Sequence, residues 1–337
     1  MRPQVCPVPL LRPSGPRCAE DLPLVRERSI SWPTAPVDSA LARGREIPLR
    51  EIPWREIPWW LWWNVLSIDA PLVAVVWAGL FARVHGGRIS GVEAGVLVLV
   101  VWVIYTCDRL LDGWTAAGGA ALKERHVFCG RHRVALASLV MTACAMIFYL
   151  AAYHLPAVEA RAGIRLGVIL ALYMASIHVG RGRSAWVLPK EIVVGVLFAA
   201  GAALPCWSRY AGIPRGAALP FLFFALLCSL NCLSIECWEN RGGGAARERR
   251  NGLAGWAASR MSWSAVVLAV AALLAGTFSG VAGIFSYELL AVSLGALLLL
   301  LLNCGSEKLS PAALRVLADA ALVLPAVLAL AVLGSGT

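Results

Sequence analysis

Two short stretches of the chain bring carboxylates together at helical spacing. The first runs Ile104-Tyr105-Thr106-Cys107-Asp108-Arg109-Leu110-Leu111-Asp112, and the second Asn231-Cys232-Leu233-Ser234-Ile235-Glu236-Cys237-Trp238-Glu239-Asn240-Arg241. Residues three or four apart share one helix face, so Asp108 and Asp112 form one acidic pair and Glu236 and Glu239 another. Like charges at that spacing repel unless a cation or a basic group stands between them. Two carboxylate pairs from two helices suit Mg²⁺, a hard ion that takes oxygen ligands and commonly combines one or two carboxylates with substrate phosphates. The competing reading is plainer: helix-end carboxylates at headgroup depth, paired with Arg109, Arg241 or Lys123. Basic residues suited to a phosphorylated ligand lie nearby in sequence, in the loop Lys123 to Arg133 and at Arg181, Arg183 and Lys190. Arginine grips phosphate through two parallel hydrogen bonds, and lysine supplies a mobile point charge. His126 and His132 are expected in solvent or beside phosphate, not on a metal.

The elements that must hold these residues are apolar. Of 337 residues 59% are hydrophobic and only 15% charged, against about 25% in soluble domains. Mean hydropathy is +0.71. This excludes an ordinary soluble enzyme, a disordered chain and a nucleic-acid-binding module, despite the net charge of +10. Nine stretches are long enough to cross a hydrocarbon core as helices: 59–82, 92–112, 134–153, 164–180, 189–207, 217–238, 263–283, 286–304 and 312–334. The expected fold is therefore all-α and polytopic. Small residues such as Gly195, Ala199, Gly201 and Ala203 favour close helix packing. Ten cysteines, mostly inside the spans, read as small buried hydrophobes and not as a disulfide or zinc framework.

Charge orients the spans. With the N-terminus cytoplasmic, the inner segments carry 24 Lys and Arg and the outer loops 6, which together are all 30. The positive-inside rule then places the N-terminus in the cytoplasm and the C-terminus on the opposite side. In that topology the second and sixth spans both run inward, so both acidic pairs end at one cytoplasmic depth. Residues 1–58 form a separate Pro- and Arg-rich cytoplasmic tail without an apolar run long enough for a span or leader. The tail ends in three repeats, Arg45-Glu46-Ile47-Pro48-Leu49, Arg50-Glu51-Ile52-Pro53-Trp54 and Arg55-Glu56-Ile57-Pro58-Trp59. Proline at every fifth position forbids a regular helix and leaves an extended linker or a docking peptide. Asn64 and Asp69 intrude into the first span, where Asp69 is expected to line a cavity or pair with another helix, and Pro71 to break the helix.

At this point the sequence resembles the UbiA-type intramembrane prenyltransferases over residues 59–334. That family carries nine transmembrane helices around a central cavity, with aspartate-rich motifs at the cytoplasmic ends of helices two and six. The first family motif is Asn-Asp-x-x-Asp-x-x-x-Asp. Asp108, Arg109 and Asp112 fit its second half, while Ile104 and Tyr105 replace the opening Asn-Asp. The second is Asp-x-x-x-Asp, which Glu236 and Asn240 occupy with Arg241 and Gly242 following; Glu239 stands one position earlier as a substitute charge. Arg183, Pro189 and Gly195 resemble the family's arrangement ahead of helix five, with Lys190 as a further candidate.

The resemblance implies a Mg²⁺-dependent transfer of a polyprenyl group from its diphosphate to a lipophilic or aromatic acceptor within the bilayer. Asp108, Asp112, Glu236, Glu239 and Asn240 would hold the metal, with Asp108, Asp112 and Glu236 catalytic. Arg109, Arg183, Lys190 and Arg241 would hold the diphosphate. Two alternatives stand beside it: a catalytically inactive protein of this shape that binds lipid or a partner, and a transporter using the carboxylates as an ion path.

Overall fold

A computed structural model describes residues 58–115, 124–179, 190–210, 216–239, 260–278 and 286–335. Every regular element among them is helical. A 3₁₀ turn, Trp59–Leu61, leads into α1 (Trp62–Val65) and then α2 (Asp69–Val84). There follow α3 (Gly91–Thr115), α4 (Glu124–Arg131), α5 (Arg133–Tyr153), α6 (Ala157–Val179), α7 (Lys190–Trp207), α8 (Ala218–Glu239), α9 (Met261–Phe278), α10 (Ser286–Cys304) and α11 (Pro311–Ser335). Seven of these are long and apolar enough to cross a membrane, and eight when Trp59–Val65 and Asp69–Val84 count as one bent span. The chain is thus a multi-pass, all-helical membrane protein. Each of the nine expected spans falls on one of these helices or on the bent pair. The fourth falls on α6, which carries Glu159, Arg161 and Arg165 in its first turns and stands outside the seven.

The first span bends by 79°. The break lies at Ser67, whose φ of 59° is left-handed, and not at Pro71 as expected. Pro71 sits in the first turn of α2, where the backbone N–H lacks an intrahelical partner anyway. The carbonyls that the break exposes are satisfied from α3. Arg109 donates to the carbonyls of Asn64 and Val65 at 2.5 and 3.2 Å, and the Trp102 indole donates to that of Leu66 at 3.0 Å. Inside a membrane such carbonyls need a protein donor, and a cation at a helix C-terminus also meets the negative end of its dipole.

The core forms where α2, α7, α8, α9, α10 and α11 meet. Trp77 at its centre is fully buried, stacks on Phe224 with ring centroids 3.9 Å apart, and donates its indole N–H to the Leu322 carbonyl at 3.0 Å. Of the small residues expected to bring helices together, Gly195 does so, whereas Gly201 does not: an added Cβ there would meet nothing within 4 Å. Gly195 of α7 lies directly on α8, where an added Cβ would come within 2.6 Å of the Ser229 nitrogen and 2.8 Å of its Cα. Gly295 of α10 faces the Ala321 carbonyl in the same manner, at 3.1 Å. That carbonyl lies four residues before Pro325, which has no N–H to offer it.

Candidate functional site: an acidic mouth on an apolar slot

Four helices contribute to the site. Asp108 stands near the end of α3, Tyr173 near the end of α6, Lys190 and Glu191 open α7, and Glu236 lies one turn from the end of α8. Their polar groups meet. The Glu191 and Glu236 carboxyls lie within hydrogen-bonding reach of each other. Tyr173 donates to the Lys190 carbonyl at 3.3 Å and lies within electrostatic reach of Glu191 and Asp108. The Lys190 ammonium is 3.9 Å from Glu191 and largely exposed, so it can reach a second anion. Asp108 is linked to the Glu191–Glu236 cluster through Tyr173, which lies within electrostatic reach of both Asp108 and Glu191.

Other expected residues go elsewhere. Glu239, its side chain 8% exposed, is ion-paired with Arg315 of α11. Arg109, also buried, braces the bend of the first span. Asp112 occupies α3 one turn beyond Asp108, with its side chain outside the described residues, as is that of His126. Lys123, Arg181, Arg183, Asn240, Arg241 and the tail repeats also lie outside the described residues. His132 stacks near Phe128, at 4.8 Å between ring centroids.

Asp108 lines one end of a cavity of about 430 Å³ between α3, α5, α6 and α7. Its walls are apolar, with Val100, Ile104, Ile147, Leu170, Leu197 and Phe198 among them. Glu93 and Glu159 line the other end. Fifteen residues of α3 separate Glu93 from Asp108, about 22 Å at 1.5 Å per residue. The far end is fixed by α3's own cap. Ser90 accepts from the Glu93 N–H at 3.2 Å while the Glu93 carboxylate accepts from the Ser90 N–H at 2.5 Å. Arg209 then donates to both Glu93 oxygens, at 2.6 and 2.5 Å, and to the Arg88 carbonyl.

Among the described residues no three His, Cys, Asp or Glu side chains gather as a metal site. The Glu191–Glu236 contact is nonetheless a position for a cation or a proton, because two carboxyls cannot hydrogen-bond without one between them. Its all-oxygen donors suit Mg²⁺ when phosphate oxygens complete the shell.

Sequence reasoning passed over Glu191 and Tyr173. Glu191 follows Lys190 directly and had the same claim to the mouth, but an acid in a first helical turn is also an ordinary dipole partner. Tyr173 sits in an apolar run with nothing in its spacing to single it out. No family model matches the chain, and neither a curated protein nor a solved structure matches it.

Proposed function

We propose that the protein is an intramembrane prenyltransferase that moves a polyprenyl group from its diphosphate to a lipophilic or aromatic acceptor. The observation that carries this reading is the 430 Å³ apolar slot with Asp108 at one end, where Tyr173, within electrostatic reach of Asp108 and Glu191, connects it to Lys190 and the Glu191–Glu236 pair. Such a slot matches a long hydrocarbon with one strongly anionic head. The chain then crosses the bilayer nine times, counting α6 and the bent first span, with its N-terminus cytoplasmic and its C-terminus opposite. The acidic mouth faces the cytoplasm, where soluble diphosphates and Mg²⁺ are met.

In this reading Glu191, Glu236 and Asp108, with Asp112 a turn further on, would hold Mg²⁺. Bound there, the ion supplies Lewis-acid neutralisation of the departing diphosphate. Lys190 holds the diphosphate by charge, joined by Arg183 and Arg241. Tyr173 fixes the start of α7 through the Lys190 carbonyl and so keeps Lys190 and Glu191 at the mouth. The apolar walls align the prenyl chain and keep water from the allylic carbon as its C–O bond breaks. The diphosphate leaves with the bonding electrons, the acceptor supplies a new pair to that carbon, and the acceptor's proton is released. Arg109 and Glu239 act at one remove: the first holds the bend beside Asp108, the second ties α8 to α11.

The test is Mg²⁺-dependent binding of geranylgeranyl diphosphate to purified protein, followed by product detection with a panel of acceptors. Asp108→Ala and Glu236→Gln should each weaken binding about tenfold or more. Binding that ignores Mg²⁺ and is unchanged in both variants would sink the reading. Mg²⁺-dependent binding with no product from any acceptor would favour a lipid-binding protein of the same shape, a role consistent with the structural duties of Arg109 and Glu239.

A further inference from the structure

A glycine inside a helix is destabilising relative to alanine. Gly195 and Gly295 offset that by letting two helices touch. Gly163 and Gly167 of α6 and Gly201 of α7 do not, since a Cβ added at any of them would meet nothing within 4 Å. All three line the apolar slot. The room they leave unfilled is therefore room in the slot, open to whatever hydrocarbon lies there.

Helical rise gives the depth of each glycine. Tyr173 on α6 and Glu191 on α7 mark the mouth, within electrostatic reach of each other. Gly163 lies ten residues before Tyr173, and Gly201 ten residues after Glu191. Both are thus about 15 Å from the mouth, and Gly167 about 9 Å. Two helices that wall the slot therefore withhold a side chain at one level. Nearer the mouth the walls carry full-sized side chains, Tyr105, Leu170 and Met174 among them. An extended chain advances about 1.2 Å per bond, so a geranyl group reaches about 8 Å, a farnesyl group about 13 Å and a geranylgeranyl group about 18 Å. Only the last passes the level of Gly163 and Gly201.

We infer that Gly163 and Gly201 set the chain length the slot accepts, and that its ligand is an isoprenoid long enough to pass between them, of the geranylgeranyl class. Leucine at either position would fill the passage and leave the part nearer the mouth as it is. Bilayer hydrocarbon is as apolar as these walls, so length is read through packing in the outer part of the slot and not through transfer from water. The inference rests on the transferase reading for the place of the head group at the mouth.

The experiment is equilibrium binding to the full chain in nanodiscs of geranyl, farnesyl and geranylgeranyl diphosphate with Mg²⁺, and of the three corresponding alcohols. Gly163→Leu and Gly201→Leu should each weaken geranylgeranyl diphosphate about tenfold or more and leave geranyl diphosphate within about twofold. Gly95→Leu is the control: an added Cβ there also meets nothing, but Gly95 does not line the slot, so the length preference should stay. Should a leucine variant not fold, the Gly163→Ala, Gly201→Ala pair must still weaken the long diphosphate about threefold more than the short one. Equal weakening at every length, or none at any, overturns the inference. If the wild type binds no diphosphate, the transferase reading falls and the alcohols decide. Geranylgeraniol lost and geraniol kept in the leucine variants would then uphold the role of the glycines. Alcohol binding that ignores both substitutions, or no alcohol binding at all, would overturn it.

Discussion

Arg209 illustrates how much a single side chain carries in this bundle. Its guanidinium neutralises Glu93, which is only 5% exposed, and Glu93 is at once the cap of α3 and the neighbour of the buried Glu159. Arg209→Ala would leave two carboxyls buried together without a cation. We expect a loss of about 3 kcal/mol, read as a lowered Tm or urea midpoint, because an uncompensated buried charge costs far more than the pair contributes. Arg209→Lys should recover only part of this, since a point charge cannot serve Glu93 and the Arg88 carbonyl together. The cap itself is written in the sequence as Ser90-x-x-Glu93, and the helical positions of Asp108 and Glu236 could be read from spacing alone. What could not be read was which carboxylate finds which cation. Glu239 and Glu236 are three residues apart, yet one turns to Arg315 and the other to Glu191. That choice depends on partners 76 and 45 positions away in the chain, and no local pattern records it.

At the scale of elements, α7 and α8 position the mouth. Their close approach rests on Gly195 against Ser229, one turn from Glu191 and two from Glu236. Gly195→Ala would push the helices apart, because the obstacle is backbone and cannot swing aside. The expected cost is about 1–3 kcal/mol of stability. The same variant should weaken Mg²⁺-dependent diphosphate binding without touching any ligand, as Glu191 and Glu236 separate. Ser229→Gly, which clears the hydroxyl but leaves the backbone, should not restore either quantity. The helices were legible because a membrane demands long apolar runs, and their limits agree with hydropathy to within a few residues at most ends. The 79° bend was legible only as a polar intrusion. Its position at Ser67 follows from donors on α3, which lie some 40 positions away.

For the whole molecule, the charge asymmetry makes a sharp claim about sidedness. In the proposed nine-span topology, which puts 24 basic residues on one side and 6 on the other, the tail is expected in the cytoplasm. Cys6 and Cys18 should therefore resist an impermeant thiol reagent applied to intact cells and react once the membrane is opened, with a Cys6→Ala, Cys18→Ala variant as the blank. Labelling in intact cells would invert the topology and carry the acidic mouth to the outer face. The slot has a consequence of its own. About 22 Å of α3 part its two acidic ends, Glu93 and Asp108. In the proposed transfer the reacting carbon of a seated donor would lie at the Asp108 end, so the acceptor would be met there and not along the apolar walls.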